Sequence, residues 1–567
     1  MKRIGNARIL QRCVQAASLV LFIALLLLTA WPLADAWLPQ DAFLRLDPLA
    51  ALLVPAAARE WIARLWPGLL VIAASVVFGR VFCGYICPMG ITLDIARWCS
   101  RFFFGRAAHA ARPSLSPHWR RVKYLILTAM AVAAALGVNM LFWGSPIALI
   151  TRLYALLLHP LLLLAGSTTL ELGQPVLASL GLSGLEYANI APRRFDTLYF
   201  ILAFFAILFA LERVRPRFWC RYLCPAGALL GLVSHRPFWR RGVTRCTGCD
   251  ECARQCPTGA IMPGGLTCRH GECIACRSCV DACPVKGVAF TFSAGEARPE
   301  SVERKSAGGE SACPALRCGH LPSRRALLGA AGTGALLTGI QYSGRGSFLV
   351  AESLGNPWSE ALIRPPGALP EAAFLDRCIR CGQCMKVCPE NALQPAWFEA
   401  GVEGMFSPVL VPRRGPCEPD CNACGAVCPT QAIQFLPLEE KHWAKAGTAV
   451  VLHHRCLAWA EDRRCMVCQE VCPFGSVRIV QKEGQAVPVP VVDPMRCFGC
   501  GYCEHHCPTN APSIRVEPLN ALRRADGRYR DAARDLGYTL EPGAHGSAPP
   551  EDAAGPPDSD LPPGFSP

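Results

Sequence analysis

The chain has 567 residues, of which 52% are hydrophobic and 18% charged, with a mean hydropathy of +0.26. That is too apolar for a disordered protein, and 33 cysteines are too many for an ordinary soluble enzyme, so several domains are expected, some of them in lipid. The formal net charge of +14 taken alone would point to nucleic acid. The cysteines occur in runs ending in Cys-Pro rather than scattered, and their odd number opposes complete disulfide pairing.

From Cys13 to Trp31 the chain runs 19 residues without a charge, preceded by Lys2, Arg3, Arg8 and Arg12. This predicts a membrane span with its N-terminus inside. Further apolar stretches at Trp66–Phe82, Tyr124–Trp143 and Leu198–Leu211 give four spans in residues 1–225. Seven basic residues between Arg97 and Lys123, and Arg213, Arg215, Arg217 and Arg221 after the fourth span, place those loops inside. The segment Ile147–Ala165 is apolar but carries Arg152, His159 and Pro160, and is expected to be an external interfacial or re-entrant helix. His159 could meet a quinone head group or simply cap and pack that segment.

At the inner ends of the second and fourth spans the pattern R-x-[FW]-C-x-Y-[IL]-C-P-x-G occurs twice, 137 residues apart, at Arg80–Gly90 and Arg217–Gly227. On a helix Cys83 and Cys87, or Cys220 and Cys224, would face the same way. Each pair could share a metal ion, form a dithiol couple, face its counterpart across the bundle, or be buried packing.

Beyond the fourth span Cys246/Cys249/Cys252/Cys256 and Cys273/Cys276/Cys279/Cys283 each have the spacing C-x2-C-x2-C-x3-C-P. Three thiolates so close wrap one [4Fe–4S] cubane, and the fourth reaches the neighbouring cluster. Cys283 should therefore join Cys246, Cys249 and Cys252, and Cys256 should join Cys273, Cys276 and Cys279. Structural zinc sites usually separate two short cysteine pairs by a dozen or more residues, which does not fit. Four more quartets follow, Cys378/Cys381/Cys384/Cys388, Cys417/Cys421/Cys424/Cys428, Cys456/Cys465/Cys468/Cys472 and Cys497/Cys500/Cys503/Cys507, the middle two widened. Most copies place a small residue three positions after the proline, as at Ala260, Gly287, Ala392, Ala432 and Ser476. That phase fits a short helix against the cluster leading into strand-like stretches such as Val288–Phe292 and Ala432–Phe435. Six such clusters would each subtract about two charges, which removes most of the basic excess and with it the argument for nucleic acid.

Cys13, Cys99, Cys268, Cys313 and Cys318 receive no metal, although Cys268 could substitute near Cys273, and Cys313 and Cys318 could pair if exported. His505 and His506 lie within the last quartet, where hydrogen bonding to cluster sulfur or solvent exposure is expected over ligation. Residues 293–345 read as a linker in which Ser323-Arg324-Arg325 precedes an Ala/Gly/Leu run and looks like an internal twin-arginine export signal. A linker helix on the inner side is the alternative. From residue 518 to 567 the composition shifts to Arg, Asp, Gly and Pro, and a disordered tail is expected.

The fold class expected is thus an α-helical membrane bundle of about four spans in residues 1–225, with α+β ferredoxin-like domains, one two-cluster at 226–292 and one four-cluster at 346–517. Residues 1–292, with two C-x3-C-P pairs and a two-cluster ferredoxin, resemble the NapH/MauN-type membrane ferredoxin proteins, relatives of NosR and the CcoG-type assembly proteins. Residues 322–517, with the arginine pair and four quartets, resemble the NapG/MauM-type ferredoxin, so the chain would be a fusion of two partners. The resemblance implies a bacterial inner-membrane protein, with residues 226–292 cytoplasmic and residues 346–517 periplasmic. It implies electron transfer between the quinone pool and a redox enzyme or c-type cytochrome, in a nitrate reductase or amine dehydrogenase system. It gives Cys83, Cys87, Cys220 and Cys224 the membrane role, and by analogy pairs the first of the last four quartets with the fourth and the second with the third. Two other classes remain open, a maturation factor binding or reducing copper at the C-x3-C-P pairs, and a polyferredoxin tethered merely for location. No catalytic residue is assigned. A hydrocarbon core about 30 Å thick is too far for one tunnelling step, and no C-x-x-C-H haem site bridges it.

Overall fold

The structure, a computed structural model, describes residues 6–30, 39–105, 117–179, 193–292, 322–354, 362–397 and 399–542. All four stretches expected to span are helical, at Asn6–Leu28, Trp66–Phe78, Val122–Ala135 and Leu198–Val214. By length and apolarity two helices could cross a membrane unaided, Ile9–Leu28 and Pro146–Gln174; Ala63–Phe78 with Val81–Phe103, bent by 99°, would make a third. The other two expected spans are helices of 14 and 17 residues.

The helix from Pro146 departs from expectation. Instead of a short interfacial piece it runs through a π-helical turn at Tyr154–Leu158 and on to Ser179. Ser145 caps its start by accepting the N–H of Ala148 at 3.0 Å, with Pro146 in the first turn, where its missing N–H costs nothing. Pro160 follows the π turn directly, a place where the hydrogen-bond ladder is already rearranged. The charge of Arg152 is not against lipid, because its guanidinium donates to the carbonyls of Arg380 (2.7 Å) and Phe142 (3.3 Å).

The two cysteine-rich modules dock at opposite ends of these helices. The 239–292 module meets residues Arg80–Tyr85, Arg120–Tyr124 and Gly231. The module from residue 362 onward meets Leu26–Thr29, Gln40, Arg64 and Asn139. Both contacts are made by buried charge. Glu272 inserts into the bundle and accepts from Lys123 at 2.6 Å, Arg80 at 3.1 Å and Tyr124 at 3.0 Å. Burial opposes ionisation of this carboxyl, but the Lys123 ammonium and the Arg80 guanidinium outweigh it and hold the group down at about 2. At the other end the buried Lys386 donates to the carbonyls of Leu26, Leu27 and Thr29 at the C-terminal end of the 6–28 helix, where the partial negative charge of the last carbonyls favours a cation. Backbones approach closely between Gly231 and Gly271, where a Cβ on either residue would lie within 3 Å of the other's carbonyl oxygen.

The modules are small α+β units, with four two-stranded antiparallel sheets among the described residues. Trp239–Val243 pairs with Val288–Phe292, enclosing the first two quartets, and Thr448–Val451 pairs with Ile514–Glu517 around the last two. The stretch 432–435 makes an isolated bridge at Ile433 instead of the expected strand.

Two boundaries move. Residues 324–345, expected in a linker, belong to a helix Arg324–Leu354 lying on the Val122–Ala135 helix; a Cβ on Gly334 would come within 2.5 Å of the Ala129 carbonyl. The expected disordered tail is folded as far as residue 542. Its helix Tyr529–Asp535 buries Tyr529, Ala532 and Ala533, and Leu540 is fully buried, an apolar set that the surrounding Arg, Asp and Gly conceal. Residues 543–567 lie outside the described residues.

Replacing Glu272 by Gln leaves Arg80 and Lys123 facing a neutral partner in a dry site, and should cost about 3 kcal/mol of docking stability. The native carboxylate contributes fully above its ordinary value near 4.3 and loses that contribution only as pH falls towards 2. Limited proteolysis of the 239–292 module should therefore accelerate in E272Q near pH 6.

Candidate metal centres

Each regular quartet is wrapped by backbone that side-chain-bearing residues rarely adopt. The residues on either side of the second cysteine have positive φ in all four, at Gly248/Asp250, Ala275/Arg277, Arg380/Gly382 and Gly499/Gly501. This turns successive sulfurs and amides towards one point before the third cysteine begins a short helix.

The fourth cysteine comes from the neighbouring quartet. Cys246, Cys249, Cys252 and Cys283 line one recess of about 320 Å³, and Cys273, Cys276, Cys279 and Cys256 line another of about 310 Å³, the exchange expected from the spacing. In the larger module Cys456, Cys465, Cys468 and Cys507 line a recess of about 370 Å³. Cys472 lies within electrostatic reach of Cys497, Cys500 and Cys503, Cys428 of Cys378, Cys381 and Cys384, and Cys388 of Cys417, Cys421 and Cys424. The first of these four quartets thus exchanges with the second and the third with the fourth, correcting the first-with-fourth pairing expected by analogy. Proximity along the chain decides it.

The small residue after each Cys-Pro has a physical cause. The N–H of Ala260 donates to Cys256 Sγ at 3.3 Å and that of Ser476 to Cys472 Sγ at 3.3 Å, each after a glycine of positive φ. Both side chains are buried, leaving no room for a larger one. The donor shifts in two copies, to Ile433 at 3.5 Å from Cys428 Sγ and to Ser513 at 3.4 Å from Cys507 Sγ. Burial pushes the thiols of Cys279, Cys381 and Cys468 up to about 12, so the ligand form needs the positive charge of a metal.

Cys268 sits against Cys273 as a neighbour. Cys13 is exposed and Cys99 half-buried, and Cys313 and Cys318 lie outside the described residues. His505 has a buried Nδ1 without a hydrogen-bond partner, and His506 stacks on Tyr502. His159 lies within the fields of Lys386 and Arg193, at the junction of bundle and larger module.

The paired cysteines of the repeat do not share one continuous helix, as their spacing suggested. Pro88 and Pro225 each start a new helix, so Cys87 and Cys224 become N-caps with matching dihedrals (φ −61°, ψ 115° and φ −66°, ψ 110°). Cys224 Sγ accepts the Gly227 N–H at 3.2 Å, whereas the Gly90 N–H donates to the Cys87 carbonyl at 3.1 Å. Cys83, Cys87, Cys220 and Cys224 lie within electrostatic reach of one another. The ends of the motif explain this. Arg217 lies against Gly90, and Arg80 lies against Gly227, where a Cβ would come within 2.5 Å of the Arg80 guanidinium. Each copy's first residue fits the other copy's last. Sequence reasoning assigned no role to these arginines and glycines, although their recurrence in both copies was a signal. Among the described residues no three Cys, His, Asp or Glu side chains converge closely enough for a single metal ion. Recesses lined by four thiols, with amides aimed at sulfur, suit a multi-iron cluster.

Family comparisons agree with this class of centre. Models described as 4Fe-4S binding domains match residues 61–107 and 197–244, 243–262 and 374–394, and 270–286; one described as a 4Fe-4S dicluster domain matches 463–511. The last range joins the third and fourth quartets of the larger module in one unit. The protein is an iron–sulfur protein of ferredoxin type. It is 36% identical over 205 residues to the methylamine utilization ferredoxin-type protein MauM of Methylorubrum extorquens, covering 35% of this chain and 90% of the relative. It is 34% identical over 177 residues to the ferredoxin-type protein NapG of Escherichia coli, covering 30% and 75%. The chain belongs to this MauM/NapG ferredoxin-type family. It is also similar to the putative electron transport protein YccM of Escherichia coli, 28% identical over 229 residues, covering 39% of this chain and 53% of that one. No solved structure matches significantly.

The exchange gives a direct test. Cys428→Ser should disturb the EPR signal of the centre at Cys378, Cys381 and Cys384, with loss of at most about four irons per chain, and spare that of Cys497, Cys500 and Cys503. First-with-fourth pairing requires the Cys507→Ser variant, not C428S, to disturb the first centre.

Proposed function

We propose that this is a membrane-anchored electron-transfer protein that links the quinone pool to a redox partner outside the membrane, of the nitrate reductase or amine dehydrogenase type. The observation that carries the reading is the docking of two sets of thiol recesses at opposite ends of one helical bundle. When bound, [4Fe–4S] clusters at the six quartets would serve as one-electron carriers. The exchanged cysteines hold neighbouring recesses at fixed spacing, and Cys417 N–H donates to the Cys500 carbonyl at 2.7 Å, joining the two halves of the larger module.

Several features support a lipid setting. Val20, Leu21, Leu70, Leu162 and Ile207 are exposed on the bundle helices. Exposed aromatics flank both ends, Trp98, Phe102 and Trp119 towards the smaller module and Trp61, Trp66 and Tyr199 towards the larger. Residues Arg324–Leu354 connect the modules, and at 1.5 Å per residue this helix is about 46 Å long, enough to cross. The arginine pair would then lie on the cytoplasmic side and the four-cluster module on the periplasmic side.

Two measurements test this reading. In reconstituted vesicles under anaerobic conditions, a quinol analogue should reduce centres in both modules within one preparation, followed by redox-titrated EPR; a tethered polyferredoxin would show no such reduction. An alkaline phosphatase fused after residue 542 should be active, and should lose most of that activity when Arg324 and Arg325 are both replaced by Lys. A reporter active only in the cytosol would defeat the export reading.

A further inference from the structure

We propose that Cys83, Cys87, Cys220 and Cys224 together form one four-thiolate site for a single iron–sulfur cluster of the cubane class, inside the bundle and between the two docked modules. The inference rests on reading the quartets as cluster sites, and adds a seventh centre built from the two halves of an internal repeat.

Four observations converge on it. The family model described as 4Fe-4S binding matches the two copies separately, at 61–107 and 197–244, yet the fold brings their four thiols within electrostatic reach of one another. The two copies are interlocked by the reciprocal fit of Arg80 on Gly227 and Arg217 on Gly90. Cys87 and Cys224 each sit at a helix N-terminus, and Gly227 N–H donates to Cys224 Sγ at 3.2 Å, the same amide-to-sulfur bond seen at Cys256 and Cys472. Among the described residues no three donors at these thiols, as at the quartets, converge for a single metal ion.

The surroundings suit the charge. Four thiols lose four protons as four Fe–S bonds form, and a [4Fe–4S]2+ core so ligated carries about −2. Arg80 and Arg217, each almost fully buried, face it from opposite copies. Arg217 Nη1 also donates to the Cys83 carbonyl at 3.1 Å and feels the charge of Cys276 in the nearest recess of the smaller module. On the other side Tyr154 bonds Thr92 at 3.2 Å, and on the same helix Arg152 lies beside Cys378 and Cys381 of the larger module. The site therefore sits in the interval where the two modules would otherwise be separated by the thickness of the bundle.

The test is iron and acid-labile sulfide content with EPR, on full chain purified anaerobically in detergent. The wild type should hold about 28 irons per chain, and Cys87→Ser, Cys224→Ser and the double variant should each lose about the same four irons and the same EPR signal. Equal loss in the singles and the double is the signature of one shared site. Additive loss would show two separate centres, loss of zinc or copper in place of iron would show a mononuclear site, and a full iron complement in every variant would show none; each overturns the proposal. Retention of the quartet signals controls for folding, and should the variants fail to fold, a wild-type count of about 24 irons with no seventh signal overturns it equally. Because iron is counted and not electron delivery, this outcome is independent of whether quinol reduces the protein.

Discussion

Each cluster recess needs a sulfur from a second segment, and the rest of the architecture follows from that requirement. Three cysteines within seven residues can wrap one side of a cubane, but the chain leaves through Cys-Pro before the fourth corner is reached. Cys256 and Cys283 must cross, which ties the two quartets into one body closed by the strands Trp239–Val243 and Val288–Phe292. The same crossing occurs twice in the larger module, and the widened spacings at Cys417 and Cys456 are absorbed in loops without disturbing it. The two exchanged pairs of the larger module meet in turn where the Cys417 N–H bonds the Cys500 carbonyl, which brings Cys417 within electrostatic reach of Cys500.

Holding such modules on an apolar bundle poses a second problem, because the contact must be dry and yet specific. It is met by single long cations or carboxylates inserted into backbone acceptors and donors. Lys386 bonds the terminal carbonyls of the 6–28 helix, Arg152 donates to the Arg380 carbonyl and Arg380 to that of Asn139 across the same interface, and Glu272 neutralises two cations at the other end. A buried ion pair of this kind adds little net stability over apolar packing, but breaking half of it is costly, so it selects one docking geometry. Arg80 serves twice, binding Glu272 and fitting Gly227, and so couples the paired cysteine turns to the smaller module.

Spacing alone made the cysteine quartets legible, because ligand geometry constrains sequence directly. The partner of each quartet was legible only for Cys246–Cys283, where two quartets leave one choice; with four, the answer depended on contacts between segments such as Cys388 and Cys417. The small residue after Cys-Pro was visible as a pattern, but its cause, an amide bond to sulfur after a residue of positive φ, needed the backbone. The helix from Pro146 was misread because Arg152 has its acceptor at Arg380, more than 200 residues away, and no local signal records that a charge will be satisfied so far off. The segment Tyr529–Leu540 was misread for a related reason, its few apolar residues being diluted among charges whose outward placement composition does not reveal.

Connectivity links these parts. The smaller module ends at Phe292 and the larger begins near Leu362, yet they contact opposite ends of the same helices, at Arg80 and Lys123 against Arg64 and Asn139. The chain between them must travel the length of the bundle. Among the described residues the Arg324–Leu354 helix is the element that does so, and its small residues let it lie close on the Val122–Ala135 helix at Gly334 and Ala129. The segment that resembles an export signal in the sequence is, in the fold, a helix that packs on its neighbour where Gly334 meets the Ala129 backbone, a contact that any larger residue at 334 would block.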